Sequence, residues 1–265
     1  VRSSVTEGFQ IKRRVQVDQT AVATSMAWDN HMGTEDCMVL ANDQYKFRFL
    51  NMNTFQCVKT VLSPTFGGPI NRMLPVPAFD GSQGNCLAYS THEKVIGLVQ
   101  FPLDGNPNKT MGVIAHAGVI SCMAVSHDGR YILTAGKDDY CVNLWTAHPA
   151  SLEKMRRLGG DGVEPFNSMV EGGKEGPFYQ EMIDYFYYAQ IKAQGEDTTA
   201  MRKITGEVPM EQVPDLLRAL GVYPTEWDIR DIANEIQAMG DDSAPKSAIS
   251  FEEFVRLYVN HRPVL

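Results

Sequence analysis

The sequence of 265 residues predicts a multidomain protein of the β + α class. Short apolar runs, separated by Gly, Asn, Asp and Pro turns, fill residues 1–147 and predict a β-rich part. Amphipathic segments with a period near 3.6 residues fill residues 177–265 and predict helices. The glycine-rich stretch between them, residues 148–176, predicts a linker.

The β-rich part contains three units of similar pattern. Strands are expected at 22–27, 38–41, 45–50 and 57–62, at 70–76, 86–89, 95–101 and 111–115, and at 120–125, 131–134 and 141–145. The third strand of each unit ends at Leu50, Phe101 and Trp145, so the repeats are 51 and 44 residues long. This spacing is close to the WD repeat of ~40–45 residues. Because propellers need ~4–8 blades, residues 1–147 are interpreted as about the last three blades of a WD40 β-propeller, an incomplete one.

The third unit carries the most specific pattern. In WD repeats a His, a strand Ser or Thr, a turn Asp and a strand-end Trp form a structural hydrogen-bonded network, and His116, Asp139 and Trp145 fit three of these positions. The fourth position is Ala135, with Thr134 one residue early, so the network is expected to be incomplete. A catalytic reading of His116 and Asp139 is disfavoured, because buried polar groups need partners in any β core and no nucleophile motif accompanies them. The sequence therefore predicts no enzyme and no cofactor.

Four helices are expected in the last part. The first begins at Pro177 and the second runs from about Met210 to Gly221. Thr225 and Ser250 are expected to cap the third and fourth helices. Residues 218–226, 231–236 and 249–254 resemble the junction, third helix and last loop end of a calmodulin-like lobe. The last part is therefore interpreted as a degenerate EF-hand-pair domain.

The second loop of this pair offers only weak calcium candidates. Counting back from Glu253 at position 12 puts Asp242 at position 1, but Ala244 and Lys246 then occupy positions that need oxygen ligands. The first loop is poorer still in correctly spaced acids. Glu253 has a simpler role as the third residue of a capping box with Ser250. Specific calcium binding is not expected.

The first helix has aromatic residues on more than one face. Tyr179, Tyr185, Tyr187 and Tyr188 are candidate partner-facing residues, because Tyr is common at protein contacts. Packing of this aromatic cluster on the β-rich part of the same chain is an alternative that the sequence leaves open.

Composition excludes several classes of protein. Residues 1–150 carry twelve Lys and Arg against twelve Asp and Glu, whereas residues 151–265 carry twelve against twenty, so the net charge of -8 belongs to the second half. An acidic half disfavours nucleic acid as a partner, and no run of eighteen apolar residues indicates a membrane span. The five Cys all lie in the β-rich part and are expected to be buried thiols in a reducing compartment.

Four stretches are similar to one known family. They are EGGKEG (171–176), DYFYYAQ (184–190), ALGVYP (219–224) and RLYVNHRP (256–263), and together they resemble the carboxyl-terminal region of the cilia- and flagella-associated protein 251 family. That family is the WD-repeat subunit of the calmodulin- and spoke-associated complex.

The resemblance implies a non-enzymatic scaffold at the base of a radial spoke. The implied location is the cytoplasm and the cytoskeleton, in the axoneme of a motile cilium or flagellum. The implied partners are the other subunits of that complex, calmodulin, radial spoke proteins and, through neighbours, the doublet microtubule. A calcium-sensing module and a WD40 substrate adaptor of an unrelated complex are the alternatives.

Overall fold

The structure is a computed structural model that describes residues 13–17, 21–28, 37–77, 86–195, 198–240 and 244–264. Its β-rich part forms three antiparallel sheets, each made of strands that follow one another in the chain. The first sheet contains β1 Ala23–Ala27, β2 Cys37–Asn42, β3 Lys46–Asn51 and β4 Cys57–Leu62. The second contains β5 Ile70–Val76, β6 Cys86–Thr91, β7 Val95–Gln100 and β8 Thr110–Ile114. The third contains β9 Ile120–Val125, β10 Tyr131–Gly136 and β11 Val142–Thr146.

The division into four, four and three strands confirms the three units predicted from the repeat spacing. In the described residues none of the sheets closes on itself. The first strands of the sheets are neighbours, with β1 against β5 and β5 against β9. Apolar side chains between the sheets form the core of the β-rich part, for example Phe47 and Leu87.

A glycine inside the second sheet allows the neighbouring strands β6 and β7 to pack closely. Tyr89 is buried on β6 and lies opposite Gly97 of β7. A Cβ atom at Gly97 would stand 2.3 Å from the Tyr89 ring, so only glycine lets the ring lie across the neighbouring strand. The buried Tyr89 hydroxyl lies 3.3 Å from the Met111 carbonyl, which can accept its hydrogen.

The four helices predicted in 177–265 are confirmed as α3 Pro177–Ala193, α4 Val213–Ala219, α5 Glu226–Ala238 and α6 Phe251–His261. Two further helices, α1 Pro149–Leu158 and α2 Glu164–Asn167, lie in the segment predicted as a linker. A short 3-10 turn, Met210–Gln212, precedes α4. The short strands β12 Glu207–Pro209 and β13 Ala248–Ser250 pair antiparallel. Thr225 and Ser250 form the capping boxes expected of them, with Asp228 and Glu253. We call α3–α6 with β12 and β13 the helical lobe.

The segment predicted as a linker is folded against both neighbours. Leu152 of α1 is fully buried in the apolar cluster that joins the second and third sheets. Phe166 and Val170 are buried in the core of the helical lobe, and Val163 is packed against it. Of these three residues only Phe166 belongs to α2, and Val163 and Val170 flank that short helix. The glycines therefore mark turns between packed pieces rather than an extended connection.

Candidate functional site

The third sheet holds a connected polar network. His116 follows β8, and its Nδ1 lies 2.7 Å from an Asp139 carboxylate oxygen while its Nε2 lies 2.8 Å from Thr134 Oγ1. The indole nitrogen of Trp145 donates to the same Thr134 oxygen at 2.9 Å. Because a carboxylate only accepts, Nδ1 carries a hydrogen, and in the neutral ring Nε2 then accepts from the Thr134 hydroxyl. The structure thus brings His116, Asp139 and Trp145 together through Thr134.

The expectation of an incomplete network was wrong. Ala135 is not the position that faces His116, because Thr134 and Trp145 occur on the same face of the β10–β11 pair. Successive residues of a strand point to opposite faces, so the placement of one residue decides which side chain enters the network. Thr134 is fully buried and supplies the hydroxyl.

The network is placed for stability rather than for chemistry on a substrate. Both ring nitrogens of His116 have partners, and its side chain is fully buried. The Thr134 hydroxyl is shared between His116 and Trp145 and is closed to solvent. The Cys141 amide and then His116 hold the pKa of Asp139 below its usual value, so the carboxylate stays charged and keeps accepting. A nucleophile would need an open approach, which the burial of Thr134 does not provide.

Glu253 of α6 is engaged by groups of its own loop. Its two carboxylate oxygens accept from Lys246 Nζ at 2.6 and 2.7 Å, and one of them also accepts from the Ser250 amide at 2.8 Å. Burial alone would raise the pKa of Glu253, but the hydrogen bonds from Lys246 and Ser250 outweigh it and hold that pKa below its usual value. Asp242, the other calcium candidate, lies outside the described residues. The Lys246 ammonium group thus contacts both of the Glu253 oxygens that a calcium ion would use.

The loop between α3 and β12 is held by two glutamines. Gln190 is 2% exposed, and its Oε1 accepts from the amides of Thr205 and Gly206 at 3.1 and 3.0 Å. Gln194 accepts from the Lys203 amide at 2.9 Å and donates to the Lys203 carbonyl at 2.6 Å. Sequence analysis missed both residues, because a glutamine near the end of a helix has no distinctive pattern.

The two loops meet in the β12–β13 pair. Val208 lies opposite Ile249, and both side chains are fully buried in the lobe core. Met210 also donates from its amide to the Ser247 carbonyl at 2.9 Å. The loops are therefore coupled to each other and to the apolar core.

The tyrosines of α3 are divided between the core and the surface. Tyr185, Tyr187 and Tyr188 are 36%, 45% and 57% exposed, so each presents part of its side chain to solvent. Tyr179 was wrongly grouped with them, because it lies on the buried face of the helix and its ring meets the Phe251 ring edge-on at 5.6 Å. We call Tyr185, Tyr187 and Tyr188 the tyrosine face.

A polar seam joins the helical lobe to the edge of the first sheet. β4 is the outer strand of that sheet, and its outward amides would be unsatisfied if they were buried without acceptors. Thr60 donates to Glu235 of α5 at 3.1 Å, and Leu62 donates to Asn260 Oδ1 of α6 at 3.0 Å. His261 Nε2 lies 2.9 Å from the same Glu235 oxygen. Side chains of two helices thus replace the strand that would otherwise pair with β4.

Buried charges reinforce this seam. Arg48 of β3 pairs with Asp231 of α5. Lys46 donates to the Arg262 carbonyl at 2.7 Å and also to the Asn260 carbonyl. Burial, followed by the nearby positive charges of Arg262 and Arg48, lowers the pKa of Lys46 to about 7. A cleft of about 420 Å³ opens beside these groups. Sequence analysis did not single out any residue of the seam.

The described residues lack two features, a metal-binding cluster and a membrane-spanning helix. Within those residues, no cluster of three or more His, Cys, Asp or Glu has a geometry that would hold a metal ion. None of the helices that the structure describes combines the length and the apolar composition needed to cross a bilayer.

Comparison with known proteins identifies the class of this chain as cilia- and flagella-associated. Residues 177–265 match the family model described as the CFAP251 C-terminal domain. The chain belongs to the cilia- and flagella-associated protein 251 family, and it corresponds to the carboxyl-terminal region of its members. This confirms the resemblance that the four sequence stretches indicated.

Several relatives carry the name cilia- and flagella-associated protein 251. The Tetrahymena thermophila relative is 37% identical over 97% of this chain and 26% of its own length. The Pongo abelii relative is 38% identical over 93% of this chain and 22% of its own length. The Mus musculus relative is 38% identical over 94% of this chain and 19% of its own length. The chain thus spans about a quarter or less of these relatives.

Among solved structures, a chain of the active polycomb repressive complex 2 in the basal state is similar to this one. The two chains are 19% identical with a TM-score of 0.42, over 52% of this chain and 28% of that chain. A similarity this low indicates nothing about function.

Proposed function

We propose that this chain is part of a non-enzymatic scaffold subunit of the calmodulin- and spoke-associated complex, at the base of a radial spoke on axonemal doublet microtubules. The observation that carries the proposal is the family relationship over 97% of the chain. The geometry is compatible with it, because the polar groups of the His116 network and of the seam are used to hold elements together.

The fold proposed for this role has three parts, with propeller blades in 1–147, a connecting segment in 148–176 and an EF-hand-like lobe in 177–265. Three sheets in chain order and the His116 network support blades of the WD type. The Val208–Ile249 pair between the two loops supports an EF-hand-like pairing of α3–α4 with α5–α6.

The third sheet supports further blades in the rest of the protein. Among described residues β11 pairs only with β10, whereas the other two sheets each have a fourth strand. Its open face is apolar, with Val142 and Leu144 67% and 64% exposed and Leu133 beside them. An exposed apolar patch of this kind marks a surface that contacts further protein. The relatives are about four or more times longer than this chain, so they contain sequence that could supply that contact.

Hydrogen exchange tests this part of the proposal. The amides of β11 are expected to be protected in the full-length protein and to exchange faster in the 265-residue chain, because the edge would be paired only in the former. Equal exchange rates for β11 in the two proteins would rule out a covering strand.

The tyrosine face is the surface proposed for protein partners. Glu181, Tyr185 and Tyr188 follow one another at i, i+4 and i+7 on α3, and Asp184 and Tyr187 lie beside them. Exposed tyrosines with acidic neighbours fit a basic segment of a partner, since Arg stacks on aromatic rings. The proposed partners are other subunits of the complex, calmodulin and radial spoke proteins, with the doublet microtubule reached through neighbours and with neither nucleic acid nor membrane bound.

Affinity purification from ciliated cells tests the role and the surface together. Tagged full-length protein is expected in axonemes, co-purifying with subunits of the complex and with radial spoke proteins. Replacing Tyr187 and Tyr188 with Ser is expected to reduce that recovery, whereas Tyr223→Ser is a matched control, because Tyr223 is 79% exposed and lies outside α3. Localisation away from cilia, with normal beating in the absence of the protein, would contradict the proposal.

The same purification discriminates the substrate-adaptor alternative. A WD40 adaptor of an unrelated complex would co-purify with the catalytic subunits of that complex instead of ciliary proteins. The calcium-sensor alternative is disfavoured by the Lys246–Glu253 pair.

A further inference from the structure

The two loops of the helical lobe are closed by side chains of the lobe itself. In a calcium-binding pair each loop wraps around a cation that gathers six to eight oxygen ligands, including both oxygens of the last Glu. Here the corresponding contacts are hydrogen bonds, and they occur in both loops rather than in one.

In the second loop the positive charge beside Glu253 is the ammonium group of Lys246. Lys246 Nζ reaches both oxygens of Glu253, at 2.6 and 2.7 Å, as a bound cation would. The Glu253 side chain also closes the capping box of α6 through Ser250. Gly240 lets the chain turn back towards this pair, because a Cβ atom there would stand 2.5 Å from the Lys246 amide nitrogen. A divalent ion would have to displace a positive charge that is covalently part of the loop.

In the first loop the organising groups are neutral amides. Gln190 is buried at the end of α3 and accepts from the amides of Thr205 and Gly206, which directly precede β12. The Gln194 side chain forms two hydrogen bonds with the backbone of Lys203. These bonds fix both ends of the loop, and they use amide oxygens and backbone amides instead of carboxylates around an ion.

We infer that Lys246 in one loop, and Gln190 with Gln194 in the other, replace the divalent cation, so that the lobe holds one conformation with or without calcium. This inference rests on the proposed EF-hand-like pairing. Both sets of contacts flank the β12–β13 pair, so each loop stabilises the strand of the other.

Hydrogen exchange of the 265-residue chain, in millimolar calcium and in a chelator, tests the inference. We expect equal rates in both conditions for 198–209 and for 244–253. Lys246→Met is expected to speed exchange in 244–250 about two- to fivefold, the effect of losing one partly exposed ion pair. Lys246→Arg is the matched control, because it keeps the positive charge and the donors.

Gln190→Leu and Gln190→Glu make the same comparison in the first loop. The Leu variant removes the acceptor of Thr205 and Gly206, so faster exchange is expected in 203–209, whereas the Glu variant keeps an acceptor oxygen. Calcium-dependent protection that Glu253→Gln abolishes would overturn the inference, and so would unchanged exchange in both Lys246→Met and Gln190→Leu. These measurements use purified protein, so a failed ciliary localisation would defeat the proposed function and leave these rates unchanged.

Discussion

Asn260 joins three parts of the chain, so its replacement is a sensitive test of the seam. Its side-chain oxygen accepts from the Leu62 amide of β4 at 3.0 Å, and its side-chain nitrogen donates at 3.3 Å to the Asp104 carbonyl between β7 and β8. The residue is 4% exposed at the end of α6. Gly105 makes room for it, because a Cβ atom there would stand 2.1 Å from the Asn260 oxygen.

Asn260→Leu keeps a similar volume and removes both hydrogen bonds. The buried Leu62 amide loses its acceptor, which costs about 1–3 kcal/mol, and the Asp104 carbonyl loses its donor, which adds about 1 kcal/mol. We therefore expect the free energy of unfolding to fall by about 2–4 kcal/mol. At about 2–4 °C per kcal/mol for a chain of this size, Tm is expected to fall by about 4–16 °C.

Urea unfolding followed by far-ultraviolet circular dichroism measures this change. Asn260→Asp keeps the acceptor for Leu62, but it replaces the donor to Asp104 with a buried carboxylate oxygen that faces the Asp104 carbonyl, so it should cost more than the loss of one hydrogen bond. If Asn260→Leu stays within about 0.5 kcal/mol of the wild type, as exposed substitutions do, the seam is not a buried contact. A smaller loss in the Asp variant than in the Leu variant would show that the Leu62 hydrogen bond contributes to stability, because only the Asp variant keeps its acceptor.

Three further predictions concern stability. Phe166→Ala is expected to cost about 3–5 kcal/mol, because this ring is 2% exposed in the lobe core, and urea unfolding would measure it. Thr134→Val is expected to cost about 1–3 kcal/mol in the same assay, since it leaves His116 and Trp145 without their shared partner. Lys46 has a folded pKa of about 7 against 10.5 unfolded, so the unfolded chain binds more protons between these values. Its contribution to stability therefore rises from pH 7 to 10.5, by up to about 1.4 kcal/mol per pH unit, as pH-dependent unfolding would show.

Each of these predictions has a control and a contrary result. A loss below about 1 kcal/mol for Phe166→Ala would mean that the segment around it is not packed on the lobe. Thr134→Ser keeps the hydroxyl and should retain most of the stability that Thr134→Val loses. Equal losses in the free energy of unfolding for the two variants would contradict the network. Lys46→Met should remove the rising component of the alkaline profile. An unchanged profile in that variant would assign the rise to another group, such as Lys59, whose pKa is also lowered by burial. Cys57 is not a candidate, because burial raises its pKa to about 11 and its contribution to stability therefore falls as the pH rises.

The local pattern of the sequence predicted most of the secondary structure. Strands such as Ile70–Val76 and Cys57–Leu62 coincide with the runs expected from alternation and turn residues. The capping boxes at Thr225 and Ser250 were also predicted correctly, because a cap and its partner lie three residues apart. Signals of this kind act over a few residues, so one sequence is sufficient to locate them.

The connecting segment shows what composition leaves undetermined. Its glycine pairs at 159–160 and 172–173 predicted a linker, and Gly160, Gly172 and Gly173 adopt positive φ values there. The apolar residues between those pairs, Phe166 and Val170, are what bind the segment to the lobe. Glycine content indicates how freely the backbone can turn. Whether Phe166 and Val170 are buried depends instead on which part of the chain packs against them in the folded protein.

The sequence by itself determined the order of strands and helices, the helix caps, the family and the mismatch of Lys246 with a calcium loop. Only the tertiary structure decided that Thr134 completes the His116 network, that Tyr179 is buried, and that β4 is capped by Glu235 and Asn260. The physical reason is distance along the chain. Thr60 and Glu235 are 175 residues apart, and Leu62 and Asn260 are 198 apart. A buried amide accepts any correctly placed oxygen, and no local pattern states which oxygen folding will bring there.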